Sequence, residues 1–221
     1  MLCIVNPSPV IIVLAAGLGR RFDAPTHKLA QPLGASTVLG QTVQHAIESG
    51  LPVVVVTTES LLAEVSRHVA GRDVVLMPSL PSSDSKAPQA ASGIGMGHSI
   101  AAGVAARPNA DGWLVLPGDM PLIRPATLRA VAAAMLHQPV VYAQHQGRRG
   151  HPVGFSAELF SDLVQLVGDD GARRIVARYP SEGVDVDDPG ALMDVDTATD
   201  LAAVRARLAN GSSAITADMP R

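Results

Sequence analysis

The stretch VIIVLAAGLGRRFDAPTHK, Val10–Lys28, joins a short apolar run to a glycine-rich turn. Apolar, mostly β-branched residues that end at glycine predict a buried strand over Val10–Ala15. Gly17 permits a tight turn, and successive amide hydrogens in such a turn can hold an anion. The turn is followed by three basic residues: Arg20, Arg21 and Lys28. Three cations beside one turn suit a polyphosphate better than a single carboxylate, so we predict a polyphosphate site at the carboxyl end of the first strand.

Two common phosphate-binding templates do not fit this turn. A P-loop needs a second glycine five positions after Gly17, and the dinucleotide fingerprint needs its third glycine at the same place, where the chain has Phe22. The fingerprint also needs an acidic residue about twenty positions further on. None lies between Asp23 and Glu48. What remains is a glycine turn with arginines and a more distant lysine.

Short apolar runs alternate with helix-like segments along the chain. The predicted strands after the first are Val53–Thr57, Val74–Met77, Trp113–Leu116, Val140–Ala143 and His151–Phe155. The predicted helices are Val38–Glu48, Leu61–Val69, Ser99–Ala106, Ala126–Leu136 and Ala157–Val167. Continuous rather than alternating apolarity in the strands indicates a sheet covered on both faces. We therefore predict an α/β protein, a three-layer α/β/α Rossmann-like fold with a mostly parallel central sheet.

The C-terminal part adds short elements to this pattern. Val184–Val186 and Leu192–Val195 are strand candidates, and Thr197 with Asp200 has the spacing of a capping box before a last helix. A chain of 221 residues, 47% of them hydrophobic, fits one domain, placed over residues 1–208. The remainder, 209–221, contains Gly, Ser and Pro and is predicted to be a flexible tail.

One long segment lacks a predicted helix or strand. Pro78–Gly97 is rich in Ser, Pro, Ala and Gly. A loop of this length inside a compact domain is usually functional or disordered. Its end, GIGMGHS at Gly93–Ser99, leads into a helix. We interpret that end as a binding segment.

Composition excludes several classes of function. The net charge of −3 argues against a general nucleic-acid or membrane surface. A single cysteine, Cys3, allows neither an internal disulfide nor a thiolate metal cluster. The start lacks the basic residues of a secretory signal, and no stretch approaches the ~20 apolar residues that span a bilayer. We expect a cytoplasmic protein that binds neither nucleic acid nor membrane.

A carboxylate follows the predicted central strand in WLVLPGDMPLI, Trp113–Ile123. Asp119 stands at the carboxyl end of that strand, the edge of an open α/β sheet at which ligands bind. Transfer of a phosphoryl or nucleotidyl group needs a divalent ion, and Mg²⁺ takes one or two protein carboxylates. We therefore predict that Asp119 holds Mg²⁺.

Two further segments carry positive charge. RRGHPVGF, Arg148–Phe155, combines arginines with His151 and is predicted to meet a second, phosphate-bearing substrate. GDDGARRIV, Gly168–Val176, adds Arg173 and Arg174 near a helix start, although a solvated charged turn explains this segment equally well.

The opening stretch, LAAGLGRRF…HKLAQPLG over Leu14–Gly34, resembles the signature of MobA-like nucleotidyltransferases. The resemblance implies that Arg21 and Lys28 grip the triphosphate of a nucleoside triphosphate and act in catalysis with Asp119. It also implies that the nucleotide is contacted by the LAAG residues, Leu14, Ala15, Ala16 and Gly17. Three further residues are implied to contact it: Gly95, Ser99 and Gly118. The chain departs from the family pattern at Asp23, where glycine is usual, and by extra residues before the lysine.

The same resemblance implies the metal ligands. GDMP matches the family's metal-binding motif, with Asp119 as ligand. DVDTATDL matches a D-[IV]-D-T-x-x-D-L pattern that supplies a second contact from Asp194 and Asp196, between which the sequence does not choose.

A narrower resemblance covers roughly residues 10–205. RGHPV and GDDGAR, together with LAAG and GDMP, resemble molybdenum cofactor cytidylyltransferases. This implies transfer of CMP from CTP to molybdopterin-bound molybdenum with release of pyrophosphate, and a recipient molybdoenzyme as a further partner. LAAG rather than LAGG favours CTP over GTP. The implied acceptor-binding residues are Arg149, His151 and Arg173.

Two alternatives stay open. The acceptor could instead be a sugar phosphate, a methylerythritol-type phosphate or a small phosphorylated acid, which RGHP disfavours. The chain could also be a non-catalytic chaperone of the pterin cofactor. A carrier has no need of a metal-binding carboxylate beside a triphosphate site, so Asp119 favours an enzyme.

Overall fold

The computed structural model describes residues 8–17, 19, 22, 26–78 and 95–216, with side chains described as far as residue 209. Arg20 and Arg21 and most of the Pro78–Gly97 segment lie outside the described residues. The strands are β1 Val10–Ala15, β2 Pro32–Leu33, β3 Ser36–Thr37, β4 Val53–Thr58, β5 Val74–Met77, β6 Gly112–Pro117, β7 Val140–His145, β8 Arg148–Ser156 and β9 Ser181–Asp185.

Seven of these strands form the central sheet in the order β5-β4-β1-β6-β8-β7-β9. Every neighbouring pair is parallel except the two that involve β8, which runs antiparallel to β6 and β7. The short strands β2 and β3 pair with each other in a separate ribbon. The predicted mostly parallel α/β sheet is confirmed.

Helices cover both faces of the sheet. They are α1 Val38–Glu48, α2 Glu59–Val65, α3 Met96–Ala105, α4 Pro125–Ala134, α5 Phe160–Leu163, α6 Arg173–Arg178 and α7 Ala198–Thr216. Successive residues of a strand point to opposite faces, so β1 contributes to two cores. Ile11 and Val13 pack with residues of α1, α4 and α7, whereas Val10 and Ile12 pack with residues of α3, α5 and α6. The three-layer prediction is therefore confirmed.

Strand β8 begins three residues before the predicted His151. A two-residue turn at Gln146–Gly147 joins it to β7, and both residues have positive φ, 50° and 75°. This is the backbone that a tight hairpin turn requires. Arg148 and Arg149 consequently belong to the strand rather than to a preceding loop.

The strand prediction for Leu192–Val195 was wrong. Residues Pro189–Leu192 form a 3-10 helix, and no strand follows it before α7. The buried Asp188 side chain accepts a hydrogen bond from Gly190 N at 2.9 Å and others from Arg124 N and Thr127 Oγ1. These hydrogen bonds hold the backbone in a turn around Asp188. The apolar residues that follow therefore do not form the strand that their sequence pattern predicts.

The predicted helix over Ala157–Val167 is also shorter. A 3-10 turn, Ala157–Leu159, leads into the single turn of α5, and the chain then reaches Gly168 at φ 71°. The last helix, α7, continues to Thr216, past residue 208, after which the sequence predicts a flexible tail.

The capping box at the start of α7 is confirmed. Thr197 N donates to the Asp200 carboxylate at 2.7 Å, and Asp200 N donates to Thr197 Oγ1 at 3.2 Å. Asp196 N donates to the same carboxylate at 3.2 Å, so Asp200 also holds the residue that precedes Thr197. Among the helices that the structure describes, none has the length and apolar character needed to cross a bilayer.

Candidate active site

The carboxyl ends of β1, β4 and β6 meet at one edge of the sheet, and Gly17 and Asp119 follow β1 and β6 there. Strand β8 is antiparallel to β6, so its first residues, which include Arg149 and His151, lie at the same edge. The backbone after the Pro189–Leu192 helix joins them, since Val195 N donates to Asp119 O at 2.9 Å. Four separate parts of the sequence thus converge.

Lys28 lies at the centre of this edge. Its Nζ donates to Asp119 Oδ2 at 2.6 Å and to Asp196 Oδ1 at 2.7 Å. The three side chains are largely buried, with 12%, 15% and 21% of the side-chain surface exposed for Lys28, Asp119 and Asp196. A 3-10 helix, Lys28–Ala30, presents the lysine from the loop that follows β1.

Burial by itself would lower the pKa of Lys28, but the charges and hydrogen bonds of Asp119 and Asp196 outweigh it and raise the pKa above its ordinary value. Lys28 is therefore a fixed cation at neutral pH. One ammonium between two carboxylates leaves the cluster with surplus negative charge, to which a third carboxylate adds.

That third carboxylate belongs to Asp194. Single oxygens of Asp119, Asp194 and Asp196 lie within 4.8 Å of one another. Burial, and next the charges of Asp119 and Asp196, raise the pKa of Asp194 even though its side chain reaches solvent. Three carboxylates forced this close together are stabilised by a cation that bridges them.

The donors fit a hard divalent ion. Asp119 Oδ1 is buried and has no hydrogen-bond partner among the described residues, whereas Oδ2 of the same carboxylate is held by Lys28. A buried acceptor left without a donor is costly, and a metal ion would satisfy it. All three oxygens are of the type that Mg²⁺ and Mn²⁺ prefer.

Gly118 has a packing role beside this cluster. Its amide donates to Leu14 O at 2.9 Å, and a Cβ added to it would lie 2.8 Å from that same oxygen. Only glycine lets β6 end so close to β1 and brings Asp119 to the end of the first strand.

Of the predicted LAAG contacts, Ala15 and Ala16 are buried and Gly17 is exposed.

His27 was missed by sequence reasoning. Its ring contacts the Gly17 carbonyl oxygen through Nε2 at 2.9 Å and the Leu29 amide through Nδ1 at 3.2 Å. A histidine directly before the signature lysine was the only available signal, and a lone histidine in a loop does not reveal a partner ten residues away.

The start of α3 is covered by a second segment. Gly97 N donates to Gly168 O at 2.9 Å, and a Cβ on Gly95 would collide with that same carbonyl. Gly168 N donates in turn to Nδ1 of His98 at 3.3 Å. Ser99 is 4% exposed, so its side chain faces the protein interior. The GMGHS and GDDGAR segments, treated separately in the sequence, form one wall at the edge.

The predicted acceptor-binding residues separate into two places. Gly150 lets β8 lie against the 3-10 helix before Asp194, since a Cβ there would collide with the Ala191 carbonyl. Arg149 is exposed and stacks 4.2 Å from the centroid of the Tyr142 ring. Arg173 is exposed in the first turn of α6, and the described contacts include no side-chain bond from it to the acidic cluster.

His151 is largely buried at the same edge of the sheet, and its surroundings decide its charge. Burial, assisted by the positive charge of Arg149 and opposed by Asp194, lowers the pKa of His151 to about 4. The imidazole is therefore neutral at pH 7. Its Nδ1 is buried without a partner among the described residues.

A family model described as "MobA-like NTP transferase domain" matches residues 11–184. Bifunctional protein GlmU of Stenotrophomonas maltophilia is 30% identical over 141 residues, which is 64% of this chain and 29% of that protein. The chain therefore spans under a third of the length of this curated relative.

Solved structures match over nearly the whole chain. Rv0371c from Mycobacterium tuberculosis H37Rv superimposes with a TM-score of 0.74 at 28% identity, covering 90% of this chain and 97% of that one. Another structure of Rv0371c is a complex with manganese, with a TM-score of 0.71 and 27% identity over 90% of this chain and 98% of that one. A nucleotidyl transferase from Methanothermobacter thermautotroptrophicus gives 0.72 at 25% identity, covering 92% and 99%.

Proposed function

Because the chain belongs to the MobA-like NTP transferase family, we propose that the site around Lys28 and Asp119 transfers a nucleotidyl group from a nucleoside triphosphate to a phosphorylated acceptor. The observation that carries the proposal is the cluster itself: an ammonium held at 2.6 and 2.7 Å by two carboxylates, with a third close by. A nucleotidyltransferase needs this combination of a fixed cation and metal-binding carboxylates at one sheet edge.

We assign the substrates as CTP and molybdopterin-bound molybdenum cofactor, which gives the cytosine dinucleotide cofactor and pyrophosphate. The support comes from LAAG at Leu14–Gly17 and from RGHP in β8. A recipient molybdoenzyme would then take the product. Arg149 lies at the start of β8 and stacks on Tyr142, which supports it as the residue that meets a phosphate on the acceptor.

In the transfer, an oxygen of the acceptor phosphate attacks the α-phosphorus of the nucleotide in line. The bond from that phosphorus to the oxygen bridging the α- and β-phosphates breaks, and its electron pair leaves with pyrophosphate. Lys28 stabilises the negative charge that accumulates on the phosphates, a task assigned also to Arg21. Positioning and fixed charge suffice for such a reaction, without a covalent intermediate.

Asp119, Asp194 and Asp196 are the residues that would hold the metal, with Mg²⁺ as the proposed ion. A divalent ion held there would supply positive charge that offsets the negative charge of the phosphates. That a solved relative, Rv0371c, is a complex with manganese supports a divalent site in this family. Asp119 Oδ1, which is buried and has no hydrogen-bond partner among the described residues, is an atom that such an ion would satisfy.

A second candidate keeps the chemistry and changes the acceptor to a sugar phosphate. What favours it is that the curated relative reported above is a GlmU protein rather than a molybdenum cofactor enzyme. The buried, neutral His151 also weakens the argument from RGHP, because that histidine supplies no positive charge to an acceptor phosphate.

Pyrophosphate release with each of the four nucleoside triphosphates tests the assignment, with Mg²⁺ present and either molybdenum cofactor or a panel of sugar phosphates as acceptor. We expect release with CTP and molybdenum cofactor. A preference for GTP overturns the cytidylyl assignment, and activity with sugar phosphates alone overturns the acceptor. Absence of release with every pair overturns nucleotidyl transfer.

A further inference from the structure

His27 occupies the space between the glycine turn and the helix that carries Lys28. It is the residue immediately before the 3-10 helix Lys28–Ala30, and its ring nitrogen caps that helix. The other ring nitrogen reaches back ten residues to the Gly17 carbonyl oxygen. One imidazole thus links the end of β1 to the base of the catalytic lysine.

The two contacts determine the tautomer of this ring. Leu29 N is a donor, so Nδ1 must be an unprotonated acceptor at 3.2 Å. The Gly17 carbonyl oxygen is an acceptor, so the proton must be on Nε2, 2.9 Å away. Both nitrogens are used, and only the neutral ring with its proton on Nε2 satisfies both contacts.

Gly19 extends the contact between the turn and His27. It has φ 60°, a conformation that favours glycine. A Cβ added there would lie 3.3 Å from His27 Nε2 and 3.4 Å from Lys28 Cγ, so the turn backbone packs directly on both side chains. The turn and the lysine are therefore held together at two points, Gly17 and Gly19.

We propose that His27 is a positioning residue that holds the backbone at Gly17 and at Gly19 and the Lys28 ammonium in one arrangement, so that they meet the triphosphate together. This rests on the proposed function. Lys28 continues the chain of contacts to Asp119 and Asp196. If either the glycine turn or Lys28 moved alone, the backbone of the turn and the ammonium group would no longer be placed to bind the same triphosphate.

Substitution by asparagine separates the two contacts of His27. Asparagine is among the strongest helix-capping residues and preserves the bond to Leu29 N, but it is too short to reach the Gly17 carbonyl. His27→Ala removes both contacts. The matched control is His137→Asn, the same chemical change at an exposed position after α4, near the opposite edge of the sheet.

We expect His27→Asn to melt at the wild-type temperature while its KM for the nucleotide rises about three- to tenfold, the range for one lost hydrogen bond. Its kcat should change little, and His137→Asn should match wild type throughout. Wild-type KM in His27→Asn overturns the proposal, because the ring would then only cap the helix. A melting temperature lowered as far as in His27→Ala also overturns it, because the contact to Gly17 would then serve folding.

A readout that does not need activity keeps this test separate from the proposed function. A long-range ¹⁵N–¹H spectrum of the wild-type protein should contain a neutral histidine with its proton on Nε2 whose signals disappear in His27→Asn. The other tautomer overturns the inference. If wild-type protein releases no pyrophosphate with any nucleotide, the proposed function fails, while titration with CTP still reports whether His27→Asn weakens nucleotide binding.

Discussion

Lys28 neutralises part of a cluster of three carboxylates, and in the proposed function it also stabilises charge on the triphosphate. Lys28→Gln removes that charge and keeps much of the side-chain length. We expect turnover to fall about a hundredfold or more, as is usual when one charged contact to the transition state is lost. Steady-state pyrophosphate release measures it. Lys28→Arg is the charge-preserving comparison, and undiminished turnover in Lys28→Gln would show that the lysine is only structural.

Asp119 should control metal binding, because one of its oxygens is buried and receives no hydrogen bond from the described residues. A ligand that binds only the folded state raises the melting temperature. We therefore expect Mg²⁺ or Mn²⁺ to stabilise the wild-type protein and to leave Asp119→Asn nearly unchanged. Differential scanning fluorimetry across metal concentrations measures this, with the His137→Asn variant as control. An equal rise in the melting temperature of Asp119→Asn would show that the metal binds at another site.

His151 should remain neutral across the physiological range, since its pKa is lowered to about 4 chiefly by burial. An NMR titration should show no protonation of this ring between pH 8 and 5. The unfolded chain binds the proton near pH 6.5, so stability is lost as the pH falls from there towards 4. Replacing His151 with Gln should flatten that part of the stability profile. A midpoint near 6.5 in the folded protein would contradict the assignment.

At the scale of elements, the contact between the start of α3 and the Gly168 turn builds one wall of the site. Gly95→Ala places a methyl group against the Gly168 carbonyl, so we expect a lower melting temperature and weaker nucleotide binding. Gly71→Ala is the matched control, because a Cβ there has nothing within 4 Å and Gly71 lacks a positive φ. Equal melting temperatures and equal nucleotide binding in the two variants would show that the contact between Gly95 and Gly168 is not needed for stability or for binding.

The elements that the sequence predicted well are those whose signal is local. Strands β1, β4, β5 and β6 are continuous apolar runs, and the Thr197–Asp200 pair marks the start of α7 by spacing alone. Leu192–Val195 was wrong because its conformation depends on the buried Asp188, whose partners Arg124 and Thr127 are more than sixty residues away in sequence. No local pattern contains that information.

At the scale of the whole molecule, the site could be predicted in its parts and not in its arrangement. Asp119 could be predicted as a site residue because it stands at the end of a strand. Lys28 could be predicted because it follows the glycine turn. That Lys28 bridges Asp119 and Asp196 depends on packing across 168 positions of sequence. The neutral state of His151 follows from its burial, and the link that His27 makes between Gly17 and Leu29 follows from three-dimensional contacts. Neither can be read from the sequence.

Metal-dependent nucleotidyl transfer, as proposed for this chain, depends on the acidic cluster, so Asp119→Ala is the decisive variant. Pyrophosphate release from CTP with molybdenum cofactor as acceptor should be compared for wild type and Asp119→Ala, with Mg²⁺ and after its chelation. We predict release by wild type only when Mg²⁺ is present, and loss of about a hundredfold or more in the folded variant. Turnover that survives either the substitution or the chelation would show that the reaction does not depend on a metal ion held by Asp119.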